Sequence, residues 1–399
     1  MAARSFTRFA AIAALLLSAA ACKYPYDVVV QSSEYPFVVE GDILIGSTTT
    51  LSFSHAQPLF GIPSSNLIMA ASGYIEGEDG TRVEGRAPNW ITQVLTFDTR
   101  NLRTDQRYRL HLETMSSYDS YISRVFETDW MEARPAPVID GLSYSKNDQF
   151  EELWIGLSMH CNGSSHFRWS FNEEWEYHSD LHASYYYDPE TKQAKSGDGG
   201  VYTCWQSNIS SAINIFSTEN QTEDRFEDLA FHRIPRGDRR LQVLYRVTLT
   251  LESLSEDAYN FWRTVRENSD EQGSIFAPTP SEMPSNLRCI SHPDFRVLGY
   301  INISAVANAV MYYDNSVEKF FRYPTGGYFF DPEEIQIENS PGLNEKNYNM
   351  GRRIFYGVWE ALSERPTHFV WANAKCIDCR LSGGTTVRPA DWPEKKPTE

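Results

Sequence analysis

The run LQVLYRVTLTLESLSEDAYNFWRTVREN, Leu241 to Asn268, holds both periodicities from which the fold can be read. In its first half Leu241, Val243, Tyr245, Val247, Leu249 and Leu251 alternate with Gln242, Arg246, Thr248, Thr250 and Glu252, the period of a strand with one buried face. In its second half Leu254, Ala258, Phe261, Trp262 and Val265 recur at spacings of three and four, with Glu256, Asp257, Asn260, Arg263, Thr264 and Arg266 largely elsewhere. This predicts a helix near residues 255–267 that is apolar on one side. Ser253 or Ser255 is placed to accept from its first free amides, with Glu256 and Asp257 in the electropositive first turn. Strand followed by isolated amphipathic helix predicts a helix docked on a sheet.

Strand signals extend in both directions. FVVEGDILIG, TTTLSFS, LIMAASGYIEGEDG, ITQVLTFDT and YRLHLET are β-branched and aromatic runs separated by Gly, Pro, Asn, Asp and Ser turns at roughly ten-residue intervals. Tyr108, Leu110 and Leu112 alternate with Arg109, His111 and Glu113, so residues 28–134 read as an immunoglobulin-like β-sandwich. Pro135 and Pro137 break the pattern and predict an extended linker. Residues 135–388, with LWIGLSM, HFRWSFNEEWEY, SAINIFST and VLGYINIS, read as a larger β-rich domain carrying the helix. Within it Gly273 to Cys289 predicts an irregular connection, Tyr323 to Tyr328 and Asp331 to Asn349 loops, and Arg352 to Leu362 a short helix. Residues 389–399, rich in Pro and Lys, predict a disordered tail.

The start has the form of a secretory signal: Arg4 and Arg8, an apolar run from Phe9 to Leu17, then Ser18-Ala-Ala-Ala-Cys22. A cysteine directly after small residues is what lipoprotein signals require, since its thiol takes the acyl chains. Residues 1–21 are therefore read as the signal, Cys22 as the lipidated residue and 22–27 as a tether; an ordinary cleaved signal is the alternative. Several acyl chains make a stable anchor. Removing Arg4 and Arg8 takes the formal charge from −17 to −19, which argues against nucleic acid and against an electrostatic grip on anionic lipid.

Five cysteines remain after Cys22: Cys161, Cys204, Cys289, Cys376 and Cys379. An envelope protein can keep disulfides, but five thiols cannot all pair. Cys376-Ile-Asp-Cys379 has the spacing of a redox or zinc half-site, yet no second such pair and no thioredoxin-like context accompanies it, so a structural disulfide is the expected use. Glu176, His178, Asp180 and His182, with His160 and His166 upstream, are read as hydrogen-bonding side chains of a polar loop and no metal or other cofactor is expected. Glu173 and Glu174 read as a wet strand edge. No GxSxG, HExxH, phosphate-binding or dinucleotide-binding glycine loop occurs in a usable context, so no enzyme is expected and a hydrolase is the weakest reading. Aromatic residues make up 14% of the chain and concentrate in Tyr185-Tyr186-Tyr187, Tyr312-Tyr313, Phe320-Phe321, Tyr323 and Tyr328-Phe-Phe330. Tyr185, Tyr186, Tyr187, Tyr323 and Tyr328 are the candidate binding aromatics, with ordinary core packing as the competing use.

Several motifs in order resemble one family. Asp257-Ala-Tyr-Asn-Phe-Trp262, Gly273-Ser-Ile-Phe276, Asn286-Leu-Arg-Cys289, Val297-Leu-Gly-Tyr300 and Cys376-Ile-Asp-Cys-Arg-Leu381 with Gly383-Gly-Thr385 look like the Bacteroidota lipoprotein family called domain of unknown function 4249. Phe167 to Trp175, Cys204-Trp205, Val39-Glu-Gly41 and Pro137-Val-Ile-Asp140 extend the likeness over nearly the whole mature chain. The resemblance implies an outer-membrane lipoprotein whose relatives are often encoded beside TonB-dependent transporters. It thus implies a non-enzymatic accessory that binds a transporter, with direct capture of a glycan or peptide as the alternative. Cys161 stands outside the family pattern, which leaves Cys204 with Cys289 and the Cys376/Cys379 pair closed on itself as the implied disulfides; Cys161 to Cys204 is the competitor.

Overall fold

The computed structural model describes residues 36–56, 68–88, 93–116, 123–270 and 285–393. The signal, Cys22, the tether, most of the Gly273 to Cys289 connection and residues 394–399 lie outside the described residues.

The alternating run forms the strand Leu244–Ser253, with Tyr245, Val247, Leu249 and Leu251 fully buried; Leu241 instead closes a short 3-10 turn before it. This strand lies mid-sheet, between His166–His178 and Ile303–Asp314, and Thr203–Ile209 pairs with the far edge of His166–His178. Across the core lies a second sheet of Val138–Asn147, Glu152–His160 and Arg225–Pro235, which contributes Leu153, Ile155, Leu157 and Met159. The helix forms as Glu256–Asp270. Ser255 Oγ accepts from the Ala258 amide at 3.1 Å, and Leu254 and Ala258 bury against Ile215, Trp262 and Tyr300. Ser253 has another use: its hydroxyl donates to the Pro135 carbonyl at 2.9 Å.

The N-terminal residues form a sandwich, as the alternation of Tyr108, Leu110 and Leu112 predicts. One sheet runs Val297–Leu298, Phe37–Glu40, Thr48–His55, Val94–Asp98; the other runs Leu287–Cys289, Ser123–Thr128, Arg107–Ser116, Ile68–Gly77, Arg82–Glu84. Phe37 stacks between Phe53 and Phe126, with ring centroids 5.9 and 4.4 Å away. Residues 287–303, which the sequence places in the second domain, pack here: Leu287, Cys289, Ile301 and Ile303 belong to the same core as Phe37 and Leu110. The exchange is mutual. Ile43–Ile45, from the first segment, pairs in parallel with Ile303–Asp314 as an edge strand of the second body's sheet. The Pro135 to Pro137 segment is extended but fastened, because the carbonyls of Arg134, Pro135 and Ala136 accept from Ala305, Ser253 and Asn162.

Between the two bodies the half-buried Arg168 lies against two carboxylates, Asp42 from the first and Glu252 from the second, with the Trp262 ring 4.4 Å from its guanidinium. Burial, helped by the Asp42 charge and opposed by Arg168, pushes the Glu252 carboxyl up to about 7.

Beyond residue 330 the chain departs from the sequence expectation. The stretch read as loop contains the strand Ile335–Glu338 and the helix Pro341–Asn349, and the stretch read as a helix is the strand Arg352–Val358. With His368–Asn373 at the centre they make a three-stranded sheet, against which the hairpin Tyr185–Asp188/Gln193–Ser196 packs. The described part of the tail is docked: Asp391 pairs with Arg246 at 2.8 Å, and the buried Trp392 donates its indole N–H to Glu176 at 3.1 Å.

Candidate functional site

The three consecutive tyrosines lie on the first strand of that hairpin and, together, line one cavity of about 250 Å³. A two-residue period sends Tyr185 and Tyr187 to the same side of the strand. Tyr185 meets Phe369 at 5.4 Å and Trp359 at 6.1 Å, while Tyr187 meets Tyr348 at 5.1 Å. Tyr186, on the other side, is covered by the loop after the hairpin. Gly199 there has φ +67°, and a Cβ on it would stand 3.2 Å from the Tyr186 ring, so both the backbone turn and the close approach require glycine.

Other elements close the cavity. Tyr348 comes from the helix Pro341–Asn349, Arg353 and Ile354 from the adjoining strand, and Ile377, Asp378 and Arg380 from the turns around Cys379. The Cys379 amide donates to the Val201 carbonyl at 3.0 Å and the Ser184 amide to Phe355 at 2.8 Å, so the hairpin is tied to both neighbours. At the hairpin's turn Lys192 reaches Glu345 at 3.0 Å.

Most of the charges lining the cavity are already matched. Arg380 is bidentate to Asp378 at 2.9 and 2.8 Å. Asp188 takes Lys195, the Glu190 amide and the Thr191 amide, and these hold its carboxyl well below the usual carboxylate range. Asp198 accepts from the Gly200 amide at 2.8 Å and faces His182 at 3.6 Å. Tyr187 is 4% exposed, and its hydroxyl, sealed from solvent, has no hydrogen-bond partner among the described residues. The described lining offers rings, carboxylates and guanidinium groups.

The other candidate aromatics do not join this cavity's lining. Tyr323 packs on Phe321 and Phe329, and its hydroxyl accepts from Gln242 Nε2 at 2.8 Å; Tyr328 is 37% exposed on the neighbouring loop. Tyr348 and Arg353 were not singled out by sequence, because the segments that carry them lack a clean period.

The implied cysteine pairing is corrected. The disulfide joins Cys204 to Cys379, with Cα atoms 5.8 Å apart, and Cys161, Cys289 and Cys376 are free and buried. Cys289 pairs with Phe126 inside the first core, whereas Cys204 lies in the second, so these two belong to different bodies. Cys376 and Cys379 do not close on each other: the short helix Ala374–Ile377 sends Cys376 into a cluster with Leu181 and Ala372, and the 3-10 turn that follows opens with Cys379 bonded to Cys204. There burial pushes the Cys376 thiol up to about 12, and it donates to the Phe330 carbonyl. Gly384 lets the chain lie over this bridge, since a Cβ would meet Tyr177 Oη at 2.3 Å and Cys204 Cβ at 2.8 Å.

The carboxylates and histidines disperse. Glu173 is buried mid-sheet rather than at a wet edge, because His166–His178 has neighbours on both sides; Glu174 faces the opposite way and pairs with Arg246. Glu176 holds Trp392, His178 stacks on Tyr202, and Asp180 accepts from the Phe329 and Phe330 amides at 3.2 and 3.1 Å. His160 lies 3.2 Å from Asp140 and His166 lies 3.4 Å from Glu219. No group of three such side chains among the described residues is placed to hold a metal ion.

Fold and cavity define the class: a mainly β protein of two interlocked sandwiches, with a smaller sheet and a hairpin enclosing a tyrosine-lined cavity. The chain belongs to the family described as domain of unknown function DUF4249, which matches residues 23–309. Tyr348, Arg353 and Arg380 lie beyond that match. No curated protein matches the chain. Among solved structures, a DUF4785 family protein from Legionella pneumophila is 11% identical, over 54% of this chain and 52% of its own length, with a TM-score of 0.21. The FN1–FN3 domains of chicken CNTN1 are 9% identical over 54% of this chain and 60% of theirs, at 0.17. The chicken interferon gamma receptor alpha chain is 9% identical over 55% and 90%, at 0.19. The chain thus spans about half the length of the Legionella protein, and similarity at these scores carries no argument.

Proposed function

We propose that this chain is a non-enzymatic, outer-membrane-anchored lipoprotein. It captures a small ligand in the tyrosine-lined cavity and serves a TonB-dependent transporter as a binding accessory. The observation that carries the reading is a cavity of about 250 Å³ lined by Tyr185, Tyr186, Tyr187 and Tyr348 together with Arg353, which pairs with no carboxylate among the described residues. Anchoring rests on the Cys22 signal, and the transporter on the family's gene neighbourhood. A small ligand fits better than a glycan chain, because sugar stacking needs open, coplanar rings, whereas Tyr185 and Trp359 meet at 61° and Tyr187 is enclosed. Trp359, half-exposed against Tyr185, and the exposed Leu362 supply apolar surface of the kind a protein partner covers.

The test is to recover the tagged lipoprotein from gently solubilised outer membranes and weigh what comes with it by native mass spectrometry. The reading expects a barrel of the TonB-dependent type at stoichiometric yield. It also expects a small-molecule adduct that Tyr187→Trp, which fills the cavity, abolishes. Recovery of the protein alone, from membranes in which the barrel is expressed, removes the transporter; absence of any adduct removes ligand capture.

A further inference from the structure

Arg353 separates this cavity from a merely aromatic one. Its guanidinium lies over the Tyr348 ring at 4.1 Å, and only Nη1 is engaged, donating to the carbonyls of Arg352 at 2.9 Å and Tyr348 at 3.4 Å. Nε and Nη2 have no partner among the described residues, and no carboxylate pairs with the group. Each neighbouring cation is committed: Arg380 to Asp378, Lys195 to Asp188, Lys192 to Glu345. The carboxylates Asp188, Asp198 and Asp378 are engaged in turn. The uncommitted charge in the lining is therefore positive, in a protein whose formal charge is −17. A planar guanidinium with two adjacent free donors matches a carboxylate in bidentate geometry.

We infer that the cavity takes a compact monocarboxylate, held by Arg353 through its free Nε and Nη2 edge, with the ligand's body against the rings of Tyr185, Tyr187 and Tyr348. The inference rests on the capture reading above and names its ligand class. The size limit follows from volume, since 250 Å³ is the room of about eight waters. The single charge follows from Arg353 being the lining guanidinium left without a carboxylate among the described residues, so that a dianion such as a phosphate monoester keeps one charge unmatched.

The mature full chain in detergent is titrated calorimetrically with monocarboxylates of rising size, acetate, phenylacetate and 4-hydroxyphenylacetate, each beside its neutral amide, and with phenyl phosphate. The expected result is that the largest acid binds at least tenfold tighter than its amide and than phenyl phosphate. Arg353→Gln lowers binding of the acid to that of its amide measured on the same variant, and Arg353→Lys, which keeps the charge but not the fork, restores part of the preference. Thermal unfolding confirms that both variants are folded. Acid and amide binding alike, with indifference to Arg353→Gln, overturns the carboxylate while sparing capture. Phenyl phosphate matching or exceeding the acid overturns the single charge. If none of the compounds binds, both the inference and capture in this cavity fall.

Discussion

Glu173 sits among four polar partners drawn from distant parts of the chain: His232 Nε2 at 2.9 Å, Arg240 Nη1 at 2.7 Å, the Tyr245 hydroxyl at 2.9 Å and Asn208 Nδ2 at 3.2 Å. Burial alone would push its carboxyl up, but the His232 hydrogen bond and the Arg240 charge outweigh it and hold Glu173 at about 2. Because the folded value lies below the unfolded one, this stabilisation is present above pH 4.5 and is lost as pH falls toward 2. Glu173→Gln, which cannot ionise, is expected to be less stable than wild type by about 3 kcal/mol at pH 7 and equal to it near pH 2. Urea unfolding at both pH values measures this; a constant gap across the range would refute the charge account. Nothing local marks Glu173 in the sequence. Its neighbour Glu174 is chemically identical, and the partners that distinguish the two lie 59 to 72 positions away or on the next strand.

At the scale of elements, the disulfide and the cavity share a wall, since Ile377, Asp378 and Arg380 flank Cys379. Cys204→Ser with Cys379→Ser is expected to cost about 2–5 kcal/mol, because the bridge closes a long loop in the unfolded chain. It should also raise amide exchange in residues 374–382 before it does so in the strand Leu244–Ser253. Uniform loosening by hydrogen exchange would contradict that order. Legibility follows from which faces are buried. Leu244–Ser253 and Glu256–Asp270 were readable because one apolar core sits on one side of each. Ile335–Glu338 was not, being an edge strand exposed along most of its length, and the helix Pro341–Asn349 buries Asn344 and Asn347 instead of an apolar stripe. Arg352–Val358 carries a bulge between Ile354 and Tyr356 that breaks the two-residue period and leaves a helix-like spacing. The tyrosines of the cavity were visible as a cluster; Arg353, inside that irregular strand, was not.

At the scale of the whole molecule, the two bodies meet through one guanidinium and two carboxylates. Glu252, whose folded value is raised to about 7, gives stability that is fully present below pH 4.5 and lost as pH rises through 7. Wild type is therefore expected to lose thermal stability between pH 5 and pH 8, and Glu252→Gln to flatten that part of the curve; parallel melting curves for the two proteins would rule this out. The bodies also share chain. The first sandwich is completed by Leu287–Cys289 and Val297–Leu298, and Ile43–Ile45 finds its partner only in Ile303–Asp314. A polypeptide that emerges N-terminus first during synthesis consequently exposes its opening strands, edges unpaired, until residue 303 has emerged. The earliest segment to arrive is the last to complete its sheets, so the opening strands spend synthesis up to residue 303 as open edges.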